Sequence, residues 1–255
     1  MLILLSPAKT MNMEPQERRL PSSRPRYEKE AEYLASEMRK FSAPQLGKLL
    51  KINDSLAQVN FERYQHFGSA SNPEKQALFA YDGSVFRHID PAGMTDDDLL
   101  YAQERLRIVS TLYGLVRPLD LIQAYRIAFT LRLGDRNGNL YDYWYPKLTE
   151  PLIETARKAG GIVINLASQD VMAALDTDRI RQQVGMIDAE FQEHRNGRYE
   201  TVRTYAKMAR GEMTRFILRN RIESPEGMKA FGWNGFAFDE RLSSHEKIIF
   251  TREKK

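Results

Sequence analysis

A mixed α/β fold, with helices packed around a central mixed sheet in a single domain over residues 1–255, is the fold class this sequence predicts. Three observations carry that expectation. Two short, largely apolar runs, Leu2-Ile3-Leu4-Leu5 and Ile162-Val163-Ile164-Asn165-Leu166, have the length and composition of strands buried on both faces. Between them, apolar residues recur at helical spacing, as in Ala31, Leu34, Ala35, Met38 and Phe41. Further on, Met186–His194 and Arg198–Tyr205 flank Arg195-Asn196-Gly197, and Asn-Gly between alternating strands is the strongest short hairpin signal. Strands interspersed with helices define the α/β class.

Taken in order, residues 2–6 form the first strand, which enters a loop at Ser6-Pro7-Ala8-Lys9-Thr10. Residues 11–25, rich in Pro, Ser and Arg, read as an irregular surface loop. After the stripe from Ala31 to Phe41, Ser42 caps a helix holding Leu46, Leu49 and Leu50, and Asp54 or Ser55 starts another that runs to about His66. Asn72-Pro73 and Tyr81-Asp82-Gly83 mark turns around a short helix. Thr95 is an N-cap for a helix over 96–107, with Asp96, Asp97 and Asp98 in its positive first turn. The stretch 108–133, broken by Gly114 and Pro118, reads as turn, short helix and strand pieces. A helix over 140–159 ends at Gly160-Gly161, and the second buried strand follows. Beyond the hairpin come a helix from about Lys207 to Ile222, a short helix after Ser224-Pro225, and a last strand over 246–252.

Composition narrows the function. With 42% hydrophobic and 28% charged residues among 255, the chain is globular and long enough to bury a sizeable core. Cysteine is absent, which removes disulfides, thiolate metal sites, iron–sulfur clusters and a cysteine nucleophile. His66, His88, His194 and His245 are scattered, with no i, i+4 pair, so no metal site and no cofactor are expected. The apolar start lacks a basic flank and stops at Ser6-Pro7, and no apolar stretch approaches the roughly 20 residues of a membrane span, so a cytoplasmic protein without membrane contact is expected. No obligate protein partner is evident.

Charge is unevenly placed. Residues 195–221 hold eight Lys or Arg against Glu200 and Glu212, and residues 105–136 hold six Arg against Asp120 and Asp135. These segments carry +6 and +4 on a chain whose total is only +4, so the remainder is net acidic and the basic footprint points to an anionic partner. The middle segment uses arginine alone, and the guanidinium fork holds phosphate oxygens bidentately. In the last basic helix, Tyr205, Ala209, Met213 and Phe216 form a core stripe, while Lys207, Arg210, Thr214 and Arg221 fall on the opposite side.

Two local patterns bear on chemistry. Ser6-Pro7-Ala8-Lys9-Thr10 ends in Lys-Thr like a phosphate-binding loop but lacks its glycines. Ser6 and Ser168, each closing a buried strand, face each other if those strands are sheet neighbours, and a ligand cleft forms there only where the topology reverses. The segment from Leu106 to Arg117 resembles the hairpin of helix-hairpin-helix DNA-binding motifs, with Leu106, Val109, Leu112 and Gly114 in the expected pattern. Thr111 stands in the first glycine position, where a β-branched residue disfavours positive φ. A helix end followed by a buried strand fits the same residues equally well.

Leu4-Leu5-Ser6-Pro7-Ala8-Lys9-Thr10, Leu106-Arg107 through Leu112-Tyr113-Gly114-Leu115-Val116-Arg117-Pro118-Leu119-Asp120, Ile164-Asn165-Leu166-Ala167-Ser168, Tyr205-Ala206-Lys207-Met208-Ala209-Arg210-Gly211 and Met213-Thr214-Arg215-Phe216-Ile217 together resemble the signatures of the YaaA family of bacterial peroxide-stress proteins, in order from residue 1 to about 240. The resemblance implies a family-specific single-domain α/β fold with a basic cleft, and duplex or distorted DNA as ligand. It further implies protection of DNA during peroxide stress, linked to limiting reactive iron, with no established catalytic activity.

The expected function is therefore duplex DNA binding with weak sequence preference, through Lys9, Arg107, Tyr113, Gly114, Arg117, Lys207, Arg210 and Arg215. Ser6, Asp120, Tyr125, Asn165 and Ser168 are candidates for a polar pocket. The alternative is an enzyme acting on a nucleic acid or nucleotide, for example an N-glycosidase, which gains if these residues converge in one deep pocket instead of lining an open groove.

Overall fold

The computed structural model describes residues 1–16, 18–134 and 138–254; Asp135 and Arg136, counted above in the middle basic segment, lie outside them. The chain opens with β1 (Leu2–Leu5), followed by α1 (Glu28–Arg39), α2 (Ala43–Leu50) and α3 (Asp54–Gln65). Next come β2 (Glu74–Gln76), the one-turn helix α4 (Ala77–Ala80), α5 (Ser84–Ile89) and α6 (Asp96–Arg105). β3 (Leu106–Ser110), β4 (Gly114–Val116) and β5 (Leu121–Gln123) precede α7 (Leu140–Lys158) and β6 (Ile162–Asn165). Two short helices, α8 (Gln169–Met172) and α9 (Thr177–Gln183), lead to the hairpin of β7 (Gly185–Arg195) and β8 (Arg198–Glu200). The chain ends with α10 (Arg203–Arg219), α11 (Pro225–Met228), β9 (Ala237–Phe238) and β10 (Lys247–Glu253).

The strands make one mixed sheet in the order β4-β3-β1-β6-β7-β10-β9, with β8 paired to β7, while β2 and β5 form a separate antiparallel pair. β3, β1, β6, β7 and β10 run parallel, and β4, β8 and β9 antiparallel. All four residues of β1 are buried, because Ile3 sits between Leu106 of β3 and Ile164 of β6 and helices cover both faces. This is why the first strand is continuously apolar instead of alternating. The hairpin turn forms as predicted, with Asn196 and Gly197 at φ of 51° and 79°, the left-handed pair that a two-residue turn needs. The return strand, however, stops at Glu200 instead of Tyr205, and the next helix already begins at Arg203. Thr95 caps α6 and Asn139 caps α7 through their side-chain oxygens, each with an aspartate three residues on closing the capping box.

Three expectations are corrected. The segment 106–117 is not a helix-hairpin-helix: α6 stops at Arg105, and Leu106–Ser110 pairs antiparallel with Gly114–Val116 as a tight β-hairpin buried in the core. No helix forms within 108–133 among the described residues. On α10 the basic face is narrower than the projection suggests, since Thr214 is fully buried and Arg221 bonds Asp98 at 2.8 Å. The cause is a second packing interface. Gly211 lets α10 lie against α5 so closely that a Cβ there would stand 2.2 Å from the Val85 carbonyl oxygen.

Topology fixes where a ligand can bind. From β1 the chain crosses to β3 on one side, and the later crossover to β6 lands on the other side of β1. The winding therefore reverses between β1 and β6, the place outside whose carboxyl ends an open α/β sheet binds its ligands.

Candidate functional site at the strand ends

Ser6 and Ser168 meet at that reversal. Their hydroxyls lie 3.1 Å apart, and the Ser168 amide donates to Ser6 Oγ at 2.8 Å. Asn165 is held just below: its Oδ1 accepts from the Ala167 amide at 2.9 Å, and its Nδ2 donates to Asp188 Oδ1 at 2.6 Å. Arg181 from α9 donates to the other Asp188 oxygen at 2.7 Å. Asp188 and Arg181 were not singled out from sequence, and only the parallel register of β6 and β7 brings Asp188 level with Asn165.

At the carboxyl end of β3, a buried hydroxyl chain runs from Ser110 through Tyr125 to Tyr81, with oxygen separations of 2.7 and 2.8 Å. Burial raises both phenols above the ordinary range, Tyr81 well above it, so they stay neutral and act as hydrogen-bonding supports. The Ser110 hydroxyl also accepts from the Leu112 and Tyr113 amides, which shapes the β3–β4 turn. Tyr125 is thus part of the scaffold at this strand end.

The basic candidates divide into two groups. Lys9 and Lys207 are exposed and have no ion-pair partner among the described residues. Arg126 stands beside Lys9, donating to its carbonyl at 3.5 Å. Arg210 is half-buried with its Nε fully enclosed and without a hydrogen-bond partner. Burial lowers its guanidinium from the usual arginine range, with Glu190 acting in the opposite sense. That carboxylate is already engaged by Lys247 at 2.9 Å and Gln192 at 3.0 Å.

Register places Arg210 at the level of that reversal. Arg252, paired in register with Glu193, stacks 3.7 Å from the Tyr205 ring centroid. Five residues along α10 return about 7.5 Å, and three residues along β7 span about 10 Å. Arg210 is therefore near the level of Glu190, which is also the level of Ser6 and Ala167 because Leu4, Asn165 and Asp188 are in register. α5 ties this wall to the β1 loop, with Gly83 against Ala8 and Val85 against Gly211.

The second group is engaged inside the fold. Arg107 donates to the carbonyls of Gln103 and Leu106 at 2.9 and 2.7 Å. Burial, reinforced by nearby Arg117, brings its guanidinium down to about 10. Arg117 bonds the fully buried Asp120 through its amide at 2.8 Å and its Nε at 3.0 Å, and Ser23 Oγ adds a third bond at 2.7 Å. Tyr113 is buried and accepts from the Gln123 amide at 3.0 Å. Gly114, at φ 64°, sits where a Cβ would lie 2.8 Å from Trp144 and from Tyr27. Arg215 pairs with Asp90 at 3.2 Å. Arg107, Arg117 and Asp120 cluster where β3 pairs with β4, with Arg107 in register with Leu4 of β1.

Cavities of about 380 and 520 Å³ open beside α7, at Asn139 and Lys147, and beside β5, at Arg24, Tyr113 and Gln123. Among the described residues, no cluster of three or more His, Asp or Glu is arranged to hold a metal ion, and no helix is long and apolar enough to cross a membrane.

Fold and site together define a mixed α/β protein whose sheet reverses its winding between β1 and β6, where Ser6 and Ser168 meet. The chain belongs to the family described as peroxide stress protein YaaA, whose model matches residues 1–242. A UPF0246 protein of Bacteroides thetaiotaomicron is 44% identical over 251 residues, covering 98% of each chain. One from Bacteroides fragilis is 45% identical over 255 residues, covering 100% of this chain and 99% of its own. A UPF0246 protein of Clostridium beijerinckii is 38% identical over 255 residues, covering 99% and 98%.

Proposed function

We propose that this chain binds duplex DNA by its phosphates, with little sequence preference, across the carboxyl ends of β1 and β6. One observation supports the reading: Lys9, Lys207 and Arg210 form no ion pair among the described residues, whereas the other basic candidates are engaged in the fold. Cations left unpaired on one side of a protein suit a polyanion, and contacts to phosphate carry no sequence information. Within a peroxide-stress family, such cover would act in the cytoplasm to shield DNA from iron-driven oxidation. An N-glycosidase would need a carboxylate free to serve as base, and Asp188 and Glu190 beside these strand ends are both already bonded.

The test is fluorescence anisotropy with duplexes of unrelated sequence over a range of salt. Similar affinities are expected, falling with a log–log slope near −3 if three phosphates are neutralised. Absence of binding at low salt, or affinity indifferent to salt, contradicts the reading.

A further inference from the structure

We infer that Arg210 anchors a site selective for a phosphate monoester, a terminal or free phosphate as opposed to the internal diesters of a duplex; this rests on the reading that these strand ends receive nucleic acid. Arg210 is a half-buried cation with no ion pair among the described residues. A cation withdrawn from water is destabilising unless paired, and buried polar atoms almost always find partners. Arg210 departs from both rules. Its Nε is enclosed without a partner, it forms no ion pair among the described residues, and the nearby Glu190 is occupied by Lys247 and Gln192. Nor is it there by accident of a loose surface, since the Gly211 contact with α5 fixes the helix that carries it.

What is missing at this position is an anion. A monoester carries close to two negative charges and three acceptor oxygens, against one charge for a backbone diester. A partly desolvated guanidinium favours the more highly charged group and can hold two of its oxygens at once. Ser6 and Ser168, at the same level of the sheet, add two hydroxyls whose mutual 3.1 Å contact can be exchanged for bonds to phosphate oxygen. Two sources share this chemistry: the 5′-phosphate at the end of a DNA strand, and a free mononucleotide.

The experiment compares matched pairs by titration: a duplex with 5′-phosphate against the same duplex with 5′-hydroxyl ends, and dAMP against deoxyadenosine. The expected result is at least tenfold tighter binding of the phosphorylated member in one pair or both, which also identifies the source. Arg210→Gln should bring that ratio to one, whereas Lys207→Ala should weaken both duplexes alike and leave the ratio between them intact. A second measurement guards against misfolding. Without ligand, Arg210→Met should melt no lower than wild type, and phosphate should raise the melting temperature of wild type only. A ratio of one in wild type, a ratio unchanged in Arg210→Gln, or a marked loss of stability in Arg210→Met would each overturn the site. If duplex binding fails while dAMP still exceeds deoxyadenosine, the DNA reading falls and the monoester site stands.

Discussion

The two basic groups of the molecule use the same residue types in opposite ways. Where β3 pairs with β4, Arg107 and Arg117 are satisfied by carbonyls and by the buried Asp120. Beyond the carboxyl end of β1, Lys9, and on α10, Lys207 and Arg210, form no ion pair among the described residues. Paired charges of the first kind maintain the fold, and removing one partner leaves the other buried and unpaired. Unpaired charges of the second kind add little to stability and are available to a ligand. A count of arginines therefore locates a basic segment but not a binding surface; the partners decide.

The largest expected effect belongs to a buried pair of the first kind. Glu193, 1% exposed, accepts from Arg252 Nε at 2.8 Å and also from Arg195. Glu193→Ala should cost about 3–5 kcal/mol in chemical denaturation, because two arginines lose their buried acceptor. Next is Gly114→Ala, which adds a Cβ within 2.8 Å of two aromatic rings at φ 64°. It should cost about 2–4 kcal/mol from overpacking and positive φ combined. Arg117→Ala should cost about 1–3 kcal/mol by stripping Asp120 of a bond, yet the folded protein should keep its DNA salt dependence. A flattened slope in that variant would break the comparison, since it would make a structural arginine a phosphate contact.

Acid should act on the structural group. Burial would raise Glu193 and Asp98, but bonds from Arg252 and Arg195 to the one, and from Thr95 and Arg221 to the other, outweigh it and hold both carboxyls below their ordinary range. A carboxyl depressed in the folded state contributes stability above its unfolded pKa, near 4, and that contribution is lost as pH falls through the lower folded value. Denaturant midpoints should therefore drop below about pH 4, and Glu193→Gln should show a shallower drop. Smallest of all, Lys207→Ala should leave stability within about 0.5 kcal/mol.

Much of this was legible in the sequence. β1 and β6 are recognisable because a strand buried on both faces must be apolar throughout, and the hairpin because Asn196-Gly197 meets a turn that demands positive φ. The helix-hairpin-helix expectation failed because Leu106, Val109, Leu112 and Gly114 satisfy a buried β-hairpin as well as a helical one, and short apolar runs do not separate the two. The rings that require glycine at 114, Trp144 and Tyr27, come from distant parts of the chain. Asp120 as the partner of Arg117 was visible from its spacing; the carbonyls that occupy Arg107 were not. Ser6 and Ser168 were paired by analogy of position, but only the strand order establishes the reversal above which they meet. Arg210 needed the tertiary fold most, because the burial of its Nε arises from packing that its place in a basic helix does not disclose.

The central claim is that the unpaired cations Lys9, Lys207 and Arg210, and not the engaged Arg107 and Arg117, meet the DNA phosphates. The most direct measurement is the salt dependence of duplex affinity for wild type, for Lys9→Ala with Lys207→Ala and Arg210→Gln, and for Arg107→Gln with Arg117→Gln, each checked for folding by circular dichroism. The account predicts that the triple variant flattens the log–log slope by about three units, while the double variant, though less stable, keeps the wild-type slope. A triple variant with the wild-type slope, or a double variant that loses about two units, would contradict it.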